Sequence, residues 1–86
     1  MEQTEQILKA LANKRRLAIV KLLSNNAKYS VGHIAKEIKL SLKATSKHLG
    51  ILFNANILEK EQVNLLIYYS LVRPTSSIVR SVVGRL

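Results

Sequence analysis

The residues best suited to binding chemistry in this 86-residue chain lie between 41 and 52, in the stretch SLKATSKHLGIL. Wound at 3.6 residues per turn, this stretch predicts a helix. One side of that helix can pack inward and carries Thr45, His48, Leu49 and Leu52. The opposite side has two cations, a hydroxyl and a glycine but no carboxylate, and it carries Lys43, Ser46, Lys47 and Gly50. Such a side is suited to an anionic, acceptor-rich partner.

The chain has too few reactive groups for a catalytic or metal site. The absence of cysteine excludes disulfides, iron–sulfur clusters, thiolate zinc sites and a catalytic thiol. The two histidines, His33 and His48, and the five acids do not pair a nucleophile with a base, and no glycine-rich phosphate loop occurs. We therefore expect no enzyme activity, no metal and no cofactor.

The net charge indicates the class of partner. Fourteen Lys and Arg residues against five Asp and Glu residues give +9, and no acid lies between Gln6 and Lys36. A domain this basic attracts polyanions, either nucleic acid or an anionic membrane surface. Because no apolar run reaches the roughly 18–20 residues of a membrane span, we expect a cytoplasmic protein at the nucleoid, without a membrane partner.

Helical periodicity predicts four helices in the first two thirds of the chain. They cover residues 4–12, 13–24, 31–39 and 41–54, with Asn13, Ser30 and Ser41 as N-caps of the last three. A short extended piece, KYSV, precedes the third helix.

The pattern after residue 56 changes to β-branched and aromatic residues. ILEKEQ and LLIYYSLV predict a hairpin that turns at Val63 and Asn64, with Ile67, Tyr69 and Leu71 facing the core. Pro74 then begins a last helix over residues 74–86. We expect one domain over residues 1–86, mainly α with a small β-hairpin (α+β), in the order α-α-β-α-α-β-β-α.

Two short helices joined by about three residues, the second basic on its free side, predict a winged helix-turn-helix. Its recognition helix would span about 41–54 and enter the DNA major groove, and its wing would span about 57–72. The residues expected to contact DNA from the recognition helix are Ser41, Lys43, Ala44, Ser46, Lys47 and Gly50. Those expected near the DNA backbone are Ser30, Lys36, His48, Lys60 and Asn64. For His48 we favour packing against a neighbouring helix through a hydrogen-bonded ring nitrogen over contact with DNA.

Three stretches, LKALANKRRLAIVKLL, VGHIAKEIKLSLKATSKHLGIL and NILEKEQVNLLIYYSL, resemble the ArsR-type (arsenic-repressor-like) winged helix-turn-helix regulators. The resemblance covers residues 7–72 and implies a homodimeric prokaryotic transcription factor with dimer contacts from its first and last helices. The chain departs from the family pattern in having no cysteine, and its last helix has no His, Asp or Glu. The family's usual metal sites therefore cannot be built. The wing tip, residues 62–65, also lacks the usual Gly and Arg.

The apolar faces of the first and last helices exceed what a small core can absorb, which favours a dimer. The residues expected at its interface are Ile7, Leu8, Leu11, Ile78, Val79, Val82, Val83 and Leu86. We expect a sequence-specific regulator of transcription that binds double-stranded DNA, a homodimeric repressor of a pseudo-palindromic operator. The alternatives are a nucleoid-associated protein with weak sequence preference and a protein-interaction module. No residue identifies an effector ligand.

Overall fold

The computed structural model describes residues 2–86, with side chains from residue 3 onward, as five helices and a three-stranded sheet. The helices are α1 (Glu2–Leu11), α2 (Lys14–Leu23), α3 (Val31–Ile38), α4 (Leu42–Asn54) and α5 (Ser77–Val83). The strands are β1 (Tyr29–Ser30), β2 (Leu58–Val63) and β3 (Leu66–Leu71). This order confirms the predicted α+β class and succession of elements. None of the helices among residues 2–86 is long and apolar enough to cross a membrane.

Three predicted N-caps are confirmed, and they begin the helices that form the centre of the fold. The side chain of Asn13 accepts hydrogen bonds from the backbone N–H groups of Arg15 and Arg16 at 2.8 and 3.1 Å. The Ser30 hydroxyl accepts from the His33 N–H at 3.2 Å, and the Ser41 hydroxyl accepts from the Ala44 N–H at 3.1 Å. Each cap satisfies a helix N–H that has no partner within its own helix.

The connection between α3 and α4 is a tight left-handed turn. Lys39 takes φ 57°, and the next residue, Leu40, donates its N–H to the Ala35 carbonyl at 3.0 Å. This closure ends α3 and satisfies one of its last carbonyls. Only residues 39–41 separate the two helices, so the chain reverses within the short link that a helix-turn-helix requires.

The core lies between the helices and the base of the sheet. Its most deeply buried side chains come from α2, α3, α4 and the start of β2, and they include Ile19, Leu23, Ile34, Leu49, Leu52 and Leu58. Ile7 and Leu11 of α1 and Val79 of α5 close this cluster from the side.

The sheet has the order β1-β3-β2 with antiparallel pairing, and it corrects two predictions about the hairpin. Val63 pairs with Leu66, so the turn residues are Asn64 and Leu65 rather than Val63 and Asn64. Asn64 takes φ 59°, a left-handed angle that Asn tolerates. Ile67 is 40% exposed, whereas Tyr69 and Leu71 are buried as predicted, because the outer half of the hairpin extends beyond the core.

The last helix is shorter than the predicted span 74–86. It covers Ser77–Val83 because the Ser76 hydroxyl accepts from the Val79 N–H at 3.2 Å and caps the helix there. Residues 72–76 form the connection, in which the Thr75 hydroxyl donates to the Val72 carbonyl at 3.3 Å. The first helix, by contrast, begins earlier than predicted, at Glu2 rather than at residue 4.

Candidate nucleic-acid interface

Helix α4 packs on α2 and α3 through one side and leaves the other side free. Thr45, Leu49 and Leu52 are completely buried, as their predicted spacing requires. Lys43, Ser46 and Lys47 are exposed, so the structure brings these three predicted contact residues together on one open surface. We call this surface, Lys43, Ser46 and Lys47, the α4 face.

The remaining predicted contact residues of α4 lie beside this face. Ser41 is exposed at its start, while Ala44 and Gly50 are partly covered at its margins. A methyl group added at Gly50 would meet no atom within 4 Å beyond the adjacent residues and the nearby backbone of α4 itself, so the margin at Gly50 is open. Open space at this margin lets another molecule approach the helix closely.

The charge of the α4 face is not neutralised by neighbouring acids. Within the part of the chain that the structure describes, the ion pairs are Lys9 with Glu5 and Lys28 with Glu61. Neither pair includes a residue of α4, and α4 itself contains no Asp or Glu. The ammonium groups of Lys43 and Lys47 are therefore available to an anionic partner.

His48 takes part in the structure that holds α1 against α4. An Nη1 group of Arg16 donates to His48 Nδ1 at 3.2 Å, which makes Nδ1 an acceptor and the ring neutral. Burial lowers the pKa of His48, and the positive charges of Arg16, Lys47 and Arg15 lower it further. Arg16 also donates to the backbone carbonyls of Ala10 and Lys9. The predicted packing of His48 through a hydrogen-bonded ring nitrogen is observed at Nδ1, and its contact with the DNA backbone stays a prediction.

The predicted backbone contacts differ in how the structure places them. Lys36 is exposed on α3, and Ser30 and Ser41 use their hydroxyls as caps. Lys60 lies with its Nζ 4.4 Å from the centre of the Phe53 ring, which ties β2 to the end of α4. Asn64 is a residue of the hairpin turn.

The wing tip is apolar. Val63 and Leu65 are exposed within it, Leu66 and Ile67 are exposed directly after it, and Leu65 is 94% exposed. No Lys or Arg occurs between residues 61 and 72. The tip therefore cannot form the ionic phosphate contacts that a basic wing would supply.

The predicted dimer residues fall into two groups. Ile7, Leu11 and Val79 are at most 7% exposed inside the subunit, so their predicted place at an interface is corrected. Leu8 is 51% exposed on α1, and the remaining partly or largely exposed apolar residues belong to the C-terminal segment. Those residues are Ile78, Val82, Val83 and Leu86.

Leu42 is an exposed residue of α4 that the sequence pattern did not single out. It lies seven residues before Leu49, so helical periodicity places the two on the same side and predicts burial. In the structure Leu42 is 60% exposed, because the first turn of α4 extends past the core. Among residues 3–86, no group of three or more His, Asp or Glu side chains could hold a metal ion.

The sequence of this chain matches a family model of known proteins. Residues 13–60, more than half of the chain, match the family model described as bacterial regulatory protein, arsR family. The chain therefore belongs to the arsR family, as the resemblance in its sequence suggested.

Individual relatives are similar over most of the chain. The transcriptional activator HlyU of Vibrio cholerae is 35% identical over 65 residues, which are 76% of this chain and 59% of that protein. The arsenical resistance operon repressor of Bacillus subtilis is 34% identical over 83% of this chain and 68% of its own length. The chain thus spans about three fifths to two thirds of these relatives.

Solved structures confirm the winged helix-turn-helix fold. HlyU from V. cholerae superimposes with a TM-score of 0.82 at 28% identity, covering 98% of this chain and 87% of that chain. A homodimeric winged helix-turn-helix DNA-binding domain from Mycobacterium bovis gives a TM-score of 0.82 at 27% identity, covering 98% and 74%.

Proposed function

We propose that this protein is a transcriptional regulator that reads duplex DNA by placing α4 in the major groove. The observation that carries the proposal is the α4 face, which presents Lys43 and Lys47 without a neighbouring carboxylate. The major groove is about 12 Å wide and accepts one helix, and the phosphates along its edges attract cations. Lysine can donate to guanine O6 and N7, and Ser46 can bond to a base or a phosphate.

Residues at the ends of α3 and α4 would position the helix on the DNA backbone. Ser30 and Ser41 accept hydrogen bonds as helix caps, which leaves each hydroxyl proton free to donate to a phosphate. Lys36 is exposed and can contribute a further cation. Lys60 and Asn64 remain weaker candidates, because Lys60 is held over Phe53 and the tip beyond it is apolar.

We infer that the active form is a homodimer built on α1 and the C-terminal segment. Leu8 of α1 and Leu86 are exposed in the subunit, and Val82 of α5 is only partly covered. The M. bovis relative is described as homodimeric, which supports this assignment. Two copies of α4 would then enter successive major grooves about 34–36 Å apart on a pseudo-palindromic operator.

We propose repression as the regulatory effect, at the nucleoid in the cytoplasm. A dimer that covers a promoter blocks transcription without any further contact. The B. subtilis relative is described as a repressor, although the V. cholerae relative is described as an activator. A promoter fusion in cells with and without the protein tests the direction of the effect.

Two other functions have specific observations in their favour. Cations spread over α1, α2 and the loop before β1 favour a nucleoid-associated protein that binds DNA with little sequence preference; they include Lys9, Lys14, Lys21 and Lys28. The apolar wing tip favours a protein-interaction module.

Selection of genome fragments by the purified protein separates the three functions. Fluorescence anisotropy then compares the enriched site with random duplex at two salt concentrations. The regulator enriches an inverted repeat and prefers it by roughly a thousandfold or more. A specificity ratio near one would favour the nucleoid protein, and no binding at either salt concentration would favour the interaction module.

A further inference from the structure

Leu42 is an apolar residue exposed at the point where α4 would first meet DNA. It is the first residue of α4, between the cap Ser41 and the α4 face residue Lys43, and it is 60% exposed. An exposed leucine is common on protein surfaces, but this one stands in the first turn of a helix whose free side is otherwise polar or cationic.

Packing within the subunit does not account for this leucine. Among residues 2–86, the buried core and the partly buried apolar residues packed against it do not include Leu42. Leu42, Ser46 and Gly50 follow one another at intervals of four residues and form one edge of α4, which is open at Gly50. A side chain at position 42 can therefore contact a molecule lying along this edge.

The surrounding charge selects DNA as that molecule. A second copy of this chain, with a net charge of +9, would bring cations against Lys43 and Lys47. The major groove brings phosphates instead, and thymine presents a C5-methyl group there, the one apolar group on the base edges. The N-terminal residues of a recognition helix are the ones that contact base edges.

We propose that Leu42 is a specificity-determining residue that recognises the C5-methyl group of a thymine in each half-site. The inference rests on the proposed function and adds a base-reading contact to it. Lys43 and Lys47 contribute affinity and contacts to guanine or phosphate, while Leu42 selects thymine by apolar contact.

Replacing thymine with deoxyuridine tests the inference, because the exchange removes only the methyl group. Each thymine of the selected site is replaced in turn, and affinities are measured by anisotropy for the wild type and for Leu42→Ala. Loss of one buried methyl corresponds to about a fourfold loss of affinity per half-site. We expect the wild type to lose this factor at one thymine position per half-site and Leu42→Ala to lose nothing there.

Two variants control for general effects. Leu42→Met keeps an apolar side chain of similar volume and should retain the sensitivity to the methyl group. Leu65→Ala truncates another exposed leucine, at the wing tip, and should behave as the wild type does. Because Leu42 and Leu65 both lie outside the core, circular dichroism should show all three variants to be folded.

The outcomes separate this inference from the proposed function. If the wild type binds every deoxyuridine site unchanged, or if Leu42→Ala keeps the same sensitivity, the role of Leu42 is overturned. The proposed function then still stands, provided that Lys43→Ala weakens binding. If no fragment is enriched and no salt-dependent binding occurs, both are overturned.

Discussion

At the scale of single residues, Thr45 is a buried hydroxyl without a partner. Its side chain is completely buried in α4, and in the described part of the chain its Oγ1 makes no hydrogen bond. Burying a hydroxyl unpaired costs roughly 1–3 kcal/mol in proteins. We expect Thr45→Val, which replaces the hydroxyl with a methyl of similar size, to raise the free energy of unfolding by about 1 kcal/mol. Urea unfolding measures this change, and a less stable variant would show that the hydroxyl has a partner.

His48 should make stability depend on pH. Burial and the charge of Arg16 lower its pKa in the folded protein, whereas in the unfolded chain it titrates near 6.5. As the pH falls below about 7, the unfolded chain takes up a proton that the folded protein excludes. The free energy of unfolding therefore falls until the pH passes the folded pKa, and this contribution is absent at higher pH.

The matched variant for His48 is His48→Asn, which can keep an acceptor near Arg16 but does not titrate. Urea unfolding between pH 7.5 and pH 5 should show a smaller loss of stability in the variant than in the wild type. Identical pH profiles for the two proteins would contradict the role given to His48.

At the scale of secondary structure, Arg16 of α2 joins α1 to α4 through its side-chain hydrogen bonds. From α2 its guanidinium donates to the end of α1, at the Ala10 and Lys9 carbonyls, and to His48 in α4. We expect Arg16→Ala to lower the free energy of unfolding by roughly 1.5–3 kcal/mol, the range for hydrogen bonds to charged groups. Arg16→Lys should recover only part of this, since an ammonium cannot reproduce the planar fork. If Arg16→Ala changed the free energy of unfolding by less than about 0.5 kcal/mol, as ordinary surface substitutions do, the structural role of Arg16 would be contradicted.

Among the secondary-structure elements, the helix starts could be predicted from the sequence, but the position of the hairpin turn could not. The starts of α2, α3 and α4 were predictable because Asn13, Ser30 and Ser41 act on N–H groups two or three residues away. The hairpin turn was predicted one residue too early, since its position follows from the pairing of Val63 with Leu66 across the strands. The register depends on the side-chain pattern of both strands as well as on the turn, so the turn propensity of Asn64 alone does not fix which two residues form it.

At the scale of the whole molecule, an apolar helix face can be buried in the subunit core or in an interface with a second subunit. Ile7 and Val79 pack inside the subunit, whereas Leu8 remains exposed, although sequence assigned all three to a dimer interface. Periodicity in the sequence shows that a helix face is apolar, but it does not show whether the same subunit or a second subunit covers that face. Leu42 illustrates the converse, because it is in phase with buried Leu49 and yet lies outside the core.

Leu8→Glu tests the dimer without disturbing the subunit core. Leu8 is 51% exposed in the subunit, so the substitution should leave the fold intact while placing two carboxylates in the interface. Burial of each leucine is worth about 1.5–3 kcal/mol, so we expect the variant to sediment as a monomer and to bind the operator far more weakly. Leu65→Glu, the same change at the wing tip, should still sediment with the mass of a dimer. A dimeric Leu8→Glu variant would place the interface elsewhere.

The central claim is that the α4 face binds DNA, and the salt dependence of binding tests it most directly. Anisotropy on the selected site should show that Lys43→Ala and Lys47→Ala weaken binding by roughly 5- to 150-fold per half-site. A lysine that neutralises a phosphate should also reduce the log–log salt slope by about 0.9 per contact. Lys21→Ala removes another exposed lysine, on α2, and should change neither affinity nor slope. Equal effects of all three substitutions, or no effect of the first two, would contradict the account.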